Sequence, residues 1–185
     1  MPIDEFEHLR ERGLTQESVY RGGLVKVRVD TVALPDGEIC NREIIEHPGA
    51  VAIVPLTADR QVIMVHQFRY AIERITLELP AGTCKPQEPA EATAKRELLE
   101  ETGYEAVCWN YLGNFYVAPG YSTELIKLYL ATGLTQATVP SGDRDEFLET
   151  VQFPLPETLA MIKDGRITDA KSIIGLWWVA FAADR

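Results

Sequence analysis

The sequence predicts an α+β fold, or an α/β/α sandwich around a mixed sheet, on three observations. Short segments with strand-like alternation or continuous apolar character recur along most of the chain. Only two or three longer segments have the features of helices, and they do not alternate regularly with the strands. The length of 185 residues suits one domain, or one domain with an arm, and the 46% of hydrophobic residues is enough for a core.

Residues 1–47 predict an N-terminal antiparallel β arm. Residues 3–12 are polar and suit either a short helix or a loose segment, whereas residues 17–34 include alternating apolar and charged side chains, as in a half-buried strand. A Pro-Asp-Gly turn at 35–37 precedes a predicted returning strand at 38–47. Because an isolated hairpin is marginally stable in water, we expect this arm to pack on its own domain or on a partner subunit.

Residues 48–185 predict the main domain. Residues 50–56 and 61–68 are two apolar runs on either side of a short turn, and we expect them to form a hairpin of buried strands. Residues 132–145 contain Pro and Gly and predict a loop. The remaining predicted strands are residues 75–79, 108–118, 124–131 and 147–153, and the predicted helices are residues 89–102, 156–163 and 169–183.

Three glutamates near the end of the first of these helices point to a site. Glu97, Glu100 and Glu101 fall within an arc of about 100° on a helix. Carboxylates at this spacing repel one another, and the C-terminal end of a helix favours cations over anions. A sequence that violates two stability rules together indicates a site, and a divalent cation such as Mg²⁺, which prefers oxygen ligands, is the natural occupant.

The alternative interpretation is a solvated acidic face of the helix. In either case we expect Leu99 and Ala92 to point the opposite way, toward the core. The flanking residues favour the metal site over the solvated face. Residues 80–82 end an apolar strand, Pro89 suits the first helical position, and Gly103 suits the residue that ends the helix.

The segment from Gly82 to Tyr104 resembles the Nudix box, Gly-x5-Glu-x7-Arg-Glu-U-x-Glu-Glu-x-Gly-U, in which U is usually aliphatic. Tyr104, an aromatic residue at the last U position, is the one departure and is expected to pack. The resemblance implies the α/β/α sandwich and a metal-dependent hydrolase, with a structural ion pair between Glu88 and Arg96. The matching positions are Gly82, Glu88, Arg96, Glu97, Leu98, Glu100, Glu101 and Gly103.

Outside the box, the chain is similar to the ADP-ribose pyrophosphatases of the same family. Pro119 lies fifteen residues after Tyr104, where that subfamily has a proline, and residues 42–51, 77–82 and 145–149 also look like it. The resemblance implies hydrolysis of the diphosphate bond of ADP-ribose or a related ADP-sugar, which gives AMP and a sugar phosphate. It also implies Mg²⁺ or Mn²⁺ as cofactor and a homodimer as the assembly.

The resemblance assigns chemistry to particular acids. It implies that Glu97, Glu100, Glu101 and the backbone carbonyl of Ala81 bind metal, and the three glutamates are also catalytic candidates. Glu146 lies where such enzymes keep a further glutamate near the attacking water. The neighbouring acids are alternatives for that role, and a solvated loop acid is the plain interpretation of each: Asp143, Asp145 and Glu149.

Four residues are candidates for substrate binding. Arg69 follows an apolar strand, and its guanidinium suits a bidentate contact with a diphosphate, although an ordinary surface arginine is the plain alternative. The resemblance places Pro119 and Gly120 near the substrate and suggests a contact from Arg42.

Composition argues against several other classes of function. The net charge of −10 and the pI of about 4.8 disfavour binding to nucleic acids or membrane surfaces. No apolar run approaches the length of a membrane span. The three cysteines have no zinc spacing and imply no disulfide framework, and the polar amino terminus has no signal-peptide core, so we expect a cytoplasmic protein.

Three rival functions follow from the same residues. One is a Nudix hydrolase of another nucleoside diphosphate derivative, such as a GDP-sugar or a dinucleoside polyphosphate. The second is a sensor that binds ADP-ribose without cleaving it, although such modules tend to lose box glutamates that this chain retains. The third is a purely structural interaction domain, which leaves the clustered acids unexplained.

Overall fold

The computed structural model describes residues 3–137 and 147–182. The chain divides into two compact units, Met1–Pro48 with Ala118–Glu124, and Gly49–Val117 with Leu125–Arg185. The short segment of the first unit, which the sequence analysis placed in the main domain, pairs with the arm through its backbone. The Ile45 amide donates to the Tyr121 carbonyl at 2.8 Å, and the Thr123 amide donates to the Ile45 carbonyl at 3.0 Å.

The first unit contains a short 3-10 helix, Ile3–Leu9, and a three-stranded antiparallel sheet. The strands lie in the order β1-β2-β3 and span Arg12–Arg21 (β1), Lys26–Ala33 (β2) and Ile39–Glu46 (β3). The single strand predicted at 17–34 is therefore wrong. The chain turns at 22–25, where the Gly22 amide donates to the Val25 carbonyl at 2.9 Å, and neither glycine of the Gly22-Gly23 pair has a side chain to resist the turn.

The second unit contains two sheets and three helices. One sheet has the strand order β7-β4-β9-β8, and the other has the order β10-β5-β6. The strands span Ala50–Pro55 (β4), Gln61–Arg69 (β5), Arg74–Glu78 (β6), Ala81–Thr83 (β7), Tyr104–Tyr116 (β8), Leu125–Gln136 (β9) and Leu148–Pro154 (β10). The helices span Ala90–Thr102 (α1), Leu155–Lys163 (α2) and Ala170–Ala182 (α3).

Helices cover both faces of the four-stranded sheet. On β4, Val51 and Ile53 belong to the same buried cluster as Leu98 of α1. Val54 of β4 belongs to the opposite cluster, with Leu176 of α3. A strand that is buried on both faces has a continuous apolar sequence rather than an alternating one. Since β4 runs parallel to β9 and antiparallel to β7, the predicted α/β/α sandwich around a mixed sheet is confirmed.

The predicted hairpin of residues 50–56 and 61–68 is limited to one antiparallel bridge, between Leu56 and Val62, and is wrong for the rest of both segments. These segments are β4 and β5, and their ladders run to different sheets: β4 pairs with β7 and β9, and β5 pairs with β6 and β10. An apolar run indicates burial on both faces but not which strand is the neighbour. The loop predicted at 132–145 is also wrong at its start, because β9 continues to Gln136.

Among the described residues, no helix has both the length and the apolar character that crossing a bilayer requires.

The Gly175→Ala change in α3 should lower stability. A Cβ at Gly175 would lie 2.6 Å from Leu79 Cδ1, 3.1 Å from Val54 Cγ2 and 3.2 Å from Leu128 Cδ1. Because these side chains are fully buried, we expect a loss of about 1–3 kcal/mol, which outweighs the helix propensity that Ala adds. The measurement is urea unfolding. The control is Gly23→Ala, where a Cβ meets nothing within 4 Å; equal stability of the two variants would contradict this packing.

Candidate metal and diphosphate site

Two of the four acidic residues of α1, Glu97 and Glu101, lie on its buried face. Glu97 is 9% exposed and Glu101 is 3% exposed, whereas Glu100 is partly exposed. The expectation that Leu99 and Ala92 face the core is wrong: Leu99 is only partly buried, Ala92 is exposed, and Leu98 is fully buried between the two glutamates. The helix therefore directs two carboxylates into the protein, where they lose solvation and need compensating charge or hydrogen bonds.

Strand β7 packs against these two carboxylates. The Ala81 amide donates a hydrogen bond of 3.2 Å to Oε2 of Glu101. At the next residue, a Cβ on Gly82 would lie 2.0 Å from Cδ and 2.1 Å from Oε1 of Glu97. Only glycine lets the Glu97 side chain approach the backbone this closely. Both glutamates are thus held against the short strand that opens the box.

Arg96 links the carboxylates that face it. Its Nη1 lies 2.7 Å from Oε1 of Glu97 and 2.8 Å from Oε2 of Glu100. Its Nε and Nη2 each donate a 3.2 Å hydrogen bond to the carboxylate of Glu88, which confirms the predicted ion pair. The hydrogen bond to Glu88 is the largest cause of the raised pKa of Arg96, and the same bond lowers the pKa of Glu88.

The charge balance of this group fits a divalent cation. Four carboxylates, Glu88, Glu97, Glu100 and Glu101, stand against the one guanidinium of Arg96, which leaves a formal charge of −3 among these five side chains. Within residues 3–137 and 147–182, no three His, Cys, Asp or Glu side chains already converge as a metal cage. Nη1 of Arg96 bridges two of the acids, so an ion bound there shares them with Arg96 or displaces it.

A second charged cluster surrounds Arg69 at the end of β5. The guanidinium of Arg69 forms a two-point contact with Glu78, from Nε to Oε1 at 2.8 Å and from Nη2 to Oε2 at 2.6 Å. Lys171 of α3 also donates to Oε2 of Glu78 and lies 3.0 Å from Asp169. Thr76 donates to Oε1 of Glu78 at 2.5 Å.

Glu78 is the centre of this cluster and is 2% exposed. Burial opposes its ionisation, but the hydrogen bond from Arg69 and the charge of Lys171 outweigh burial and lower its pKa to about 2. In turn, Glu78 is the main cause of the raised pKa of Arg69, and the charge of Glu101 adds to it. The pairing of Glu78 with Lys171 could not be predicted from the sequence, because 93 residues separate the two. The one sequence signal is a charged residue within each apolar segment.

The predicted substrate residues lie in different parts of the chain. Arg69 belongs to the second unit, whereas Arg42, Pro119 and Gly120 belong to the first. Within that unit, Arg42 pairs with Glu11 through Nη2 at 2.5 Å and Nε at 3.0 Å. The expectation that Arg42 contacts substrate stays a prediction, as do those for Pro119 and Gly120.

Of the four candidates for an acid near the attacking water, the structure describes one, Glu149. Glu146, Asp143 and Asp145 lie outside the described residues. Glu149 lies in β10 and is exposed, and its neighbour Thr150 donates a 3.3 Å hydrogen bond to the backbone carbonyl of Glu101. Because successive side chains of a strand point to opposite faces, Glu149 points away from the face that contacts α1.

Gly82→Ala should weaken metal binding while leaving the fold intact. The added Cβ overlaps the side chain of Glu97, a flexible chain that can swing aside, so we expect the carboxylate to leave its position. We expect Mn²⁺ affinity, measured by calorimetry, to fall about tenfold or more. Gly13→Ala, where a Cβ has no neighbour within 4 Å, is the control. Unchanged affinity in Gly82→Ala would show that Glu97 is not a ligand.

Glu78 should make stability depend on pH in the acid range. Its pKa is lowered from 4.5 to about 2 in the folded chain, so its stabilising contribution is complete above pH 4.5 and is lost as the pH falls toward 2. Thermal unfolding of the wild type should therefore show a decline in this window that Glu78→Gln lacks. The variant should also be less stable at pH 7, because buried Lys171 then keeps only Asp169 as a partner carboxylate. If the Tm of the wild type and that of Glu78→Gln changed with pH in parallel, Glu78 would not be the source of the acid-range loss of stability.

Comparison with known proteins agrees with this geometry. The sequence model of the NUDIX domain matches residues 46–174. A protein of Bacillus methanolicus named methanol dehydrogenase activator is 40% identical over 170 residues, which cover 91% of this chain and 92% of that protein. An ADP-ribose pyrophosphatase of Bacillus subtilis is 36% identical over 172 residues, which cover 92% and 93% of the two chains.

A solved structure gives the same result. The crystal structure of an ADP compounds hydrolase superposes with a TM-score of 0.83 at 26% sequence identity and covers 95% of each chain. The resemblance that the box residues predicted, including the similarity to ADP-ribose pyrophosphatases, is confirmed. The NUDIX match includes both sheets of the second unit and all the acids of α1. The chain therefore belongs to the Nudix family of hydrolases.

Proposed function

We propose that this protein hydrolyses the diphosphate bond of ADP-ribose or a related ADP-sugar and releases AMP and a sugar phosphate. The observation that carries the proposal is the position of Glu97 and Glu101, two buried carboxylates on α1 that lie against β7. We assign the diphosphate to the guanidinium of Arg69, which is partly exposed and is held by Glu78 at two points. The similarity to ADP-ribose pyrophosphatases supports the choice of substrate.

In this proposal, the acids of α1 bind the metal and the cluster around Arg69 binds the diphosphate. Mg²⁺ or Mn²⁺, held by Glu97, Glu100, Glu101 and the carbonyl of Ala81, would supply an activated water and neutralise charge on the phosphate oxygens. Arg69 binds the diphosphate and orients it for attack. Water adds to one phosphorus, the bond from that phosphorus to the bridging oxygen breaks, and the second phosphate leaves. A glutamate accepts the proton of the water, and Glu146 is our candidate for this base.

The remaining assignments rest on the family resemblance. We propose that Arg42, Pro119 and Gly120 contact the nucleotide sugar, and that two copies of the chain form a homodimer through the N-terminal arm. Strand β1 supports the dimer, because every residue in it is exposed. A cytoplasmic location is consistent with three free cysteines, Cys40, Cys84 and Cys108.

Glu97→Gln and Glu101→Gln should each abolish most activity without unfolding the chain. The amide keeps the shape of the side chain but removes the charge that holds the metal, so we expect kcat with Mg²⁺ and ADP-ribose to fall by about 100-fold or more. The matched control on the same helix is Glu91→Gln, since Glu91 is exposed and pairs only with Lys95 among the described residues. Full activity in either site variant would refute the assignment.

The same assay identifies the substrate. ADP-ribose, other ADP-sugars, a GDP-sugar and a dinucleoside polyphosphate are incubated with the protein and Mg²⁺, and the products are separated by chromatography. We expect AMP from the ADP-sugars. Preferred cleavage of the GDP-sugar or the dinucleoside polyphosphate would favour another Nudix activity, and cleavage of none would favour a sensor that binds ADP-ribose.

The relative from Bacillus methanolicus supports a second candidate function. Its printed name is methanol dehydrogenase activator, and its similarity covers almost the whole of this chain. A protein of this kind changes the activity of another enzyme. Addition of the chain to a methanol dehydrogenase tests this function, and a rate that stays constant would exclude it.

A further inference from the structure

We infer that Glu78 is a positioning residue for substrate binding, which holds Arg69 in the orientation that receives a diphosphate. This inference rests on the proposed function, because Arg69 is assigned there to the diphosphate. Glu78 itself does not touch the substrate in this account. It lies on β6, is almost fully buried, and acts through the guanidinium that it holds.

The geometry leaves Arg69 little freedom. Two nitrogens of its fork, Nε and Nη2, bond to the two oxygens of Glu78, which fixes both the position and the plane of the guanidinium. Among the described residues, Nη1 has no hydrogen-bond partner, and the side chain of Arg69 is 41% exposed. The arginine is therefore anchored on its inner side and free to donate on its outer side.

The carboxylate of Glu78 is itself held. Thr76 donates to Oε1 at 2.5 Å, and Lys171 donates to Oε2. Lys171 is in turn fixed by Asp169, at 3.0 Å. The two cations, Arg69 and Lys171, balance the two anions, Glu78 and Asp169, so the cluster carries no net negative charge that would repel a diphosphate.

The acids of α1 explain why an anchor is needed. Arg69 lies in the field of Glu101, whose charge raises the pKa of Arg69. This attraction draws the long cationic side chain toward Glu101. The two-point contact with Glu78 competes with this attraction and keeps Arg69 away from the metal ligands, so that the acids bind metal and the arginine binds phosphate.

A double-mutant cycle tests whether Glu78 acts through Arg69. Glu78→Gln, Arg69→Ala and the double variant are assayed with ADP-ribose and Mg²⁺ at a temperature where each is folded. We expect Glu78→Gln to raise KM about tenfold with a smaller change in kcat, and Glu78→Asp, which keeps the charge, to recover part of the loss. In the Arg69→Ala background, Glu78→Gln should raise KM no further, because the group that it positions is gone.

The control separates positioning from stability. Thr158→Ala removes the buried 2.8 Å hydrogen bond from Thr158 Oγ1 to the Leu155 carbonyl within α2, but leaves the contact between Arg69 and Glu78 and its partners in place. It should lower Tm and leave KM unchanged. An equal KM effect of Glu78→Gln in both backgrounds, or an unchanged KM in Glu78→Gln, would overturn the inference.

The proposed function can fail separately. If the wild type cleaves no nucleotide sugar, the same cycle is measured by calorimetry as the dissociation constant of ADP-ribose with Mg²⁺. A Glu78→Gln effect that disappears in Arg69→Ala then supports the positioning role without catalysis. An equal effect in both backgrounds, or no effect in either, overturns it.

Discussion

Burial of negative charge at the end of α1 constrains everything around it. Glu97 and Glu101 face inward rather than into solvent, and the helix terminus that carries them already disfavours anions. Buried carboxylates are stable only where nearby cations or hydrogen-bond donors compensate for their lost solvation. The protein supplies Arg96 beside the acids and the backbone amide of Ala81 beneath them, and still leaves an excess of negative charge that suits a divalent ion.

Two arginines serve this region in different ways. Arg96 lies among Glu88, Glu97 and Glu100 and links the loop before α1 to the helix itself. Arg69 is bound instead by another carboxylate, that of Glu78. Both guanidiniums are held before any ligand arrives, which reduces the ordering cost of binding. In the proposed reaction, metal and phosphate would therefore have distinct partners.

Helix α3 both packs on the central sheet and contributes Lys171 to the charged cluster around Glu78. Leu176 and Gly175 of α3 pack on the central sheet, and Lys171, four residues before Gly175, reaches Glu78. The close approach that glycine permits therefore also brings a buried ammonium to the carboxylate that holds Arg69. Packing of an apolar helix and electrostatics of the site are coupled through this one element.

Much of the site follows from local sequence. The acids of the box, the glycine before them and the pairing of Glu88 with Arg96 lie within one short segment, so their spacing on a helix and its preceding loop determines their relation. The helix ends at Gly103, with φ of 74°, as its lack of a Cβ allows. The pairing of β2 with β3 across the turn at 35–37 was predictable for the same reason.

Long-range pairing was decided only by the tertiary structure. The apolar runs of β4 and β5 indicate burial, but two such runs beside each other do not specify whether they pair, and here they join different sheets. Likewise, the direction in which α1 faces depends on what covers it, so Leu98 is buried rather than Leu99. Glu78 and Lys171 meet across 93 residues because β6 and α3 are brought together by the core. The sequence by itself determined which chemical groups the site contains, through fixed spacing along one helix; the fold decided which of them are buried and which are held by partners, because contacts between distant segments depend on packing.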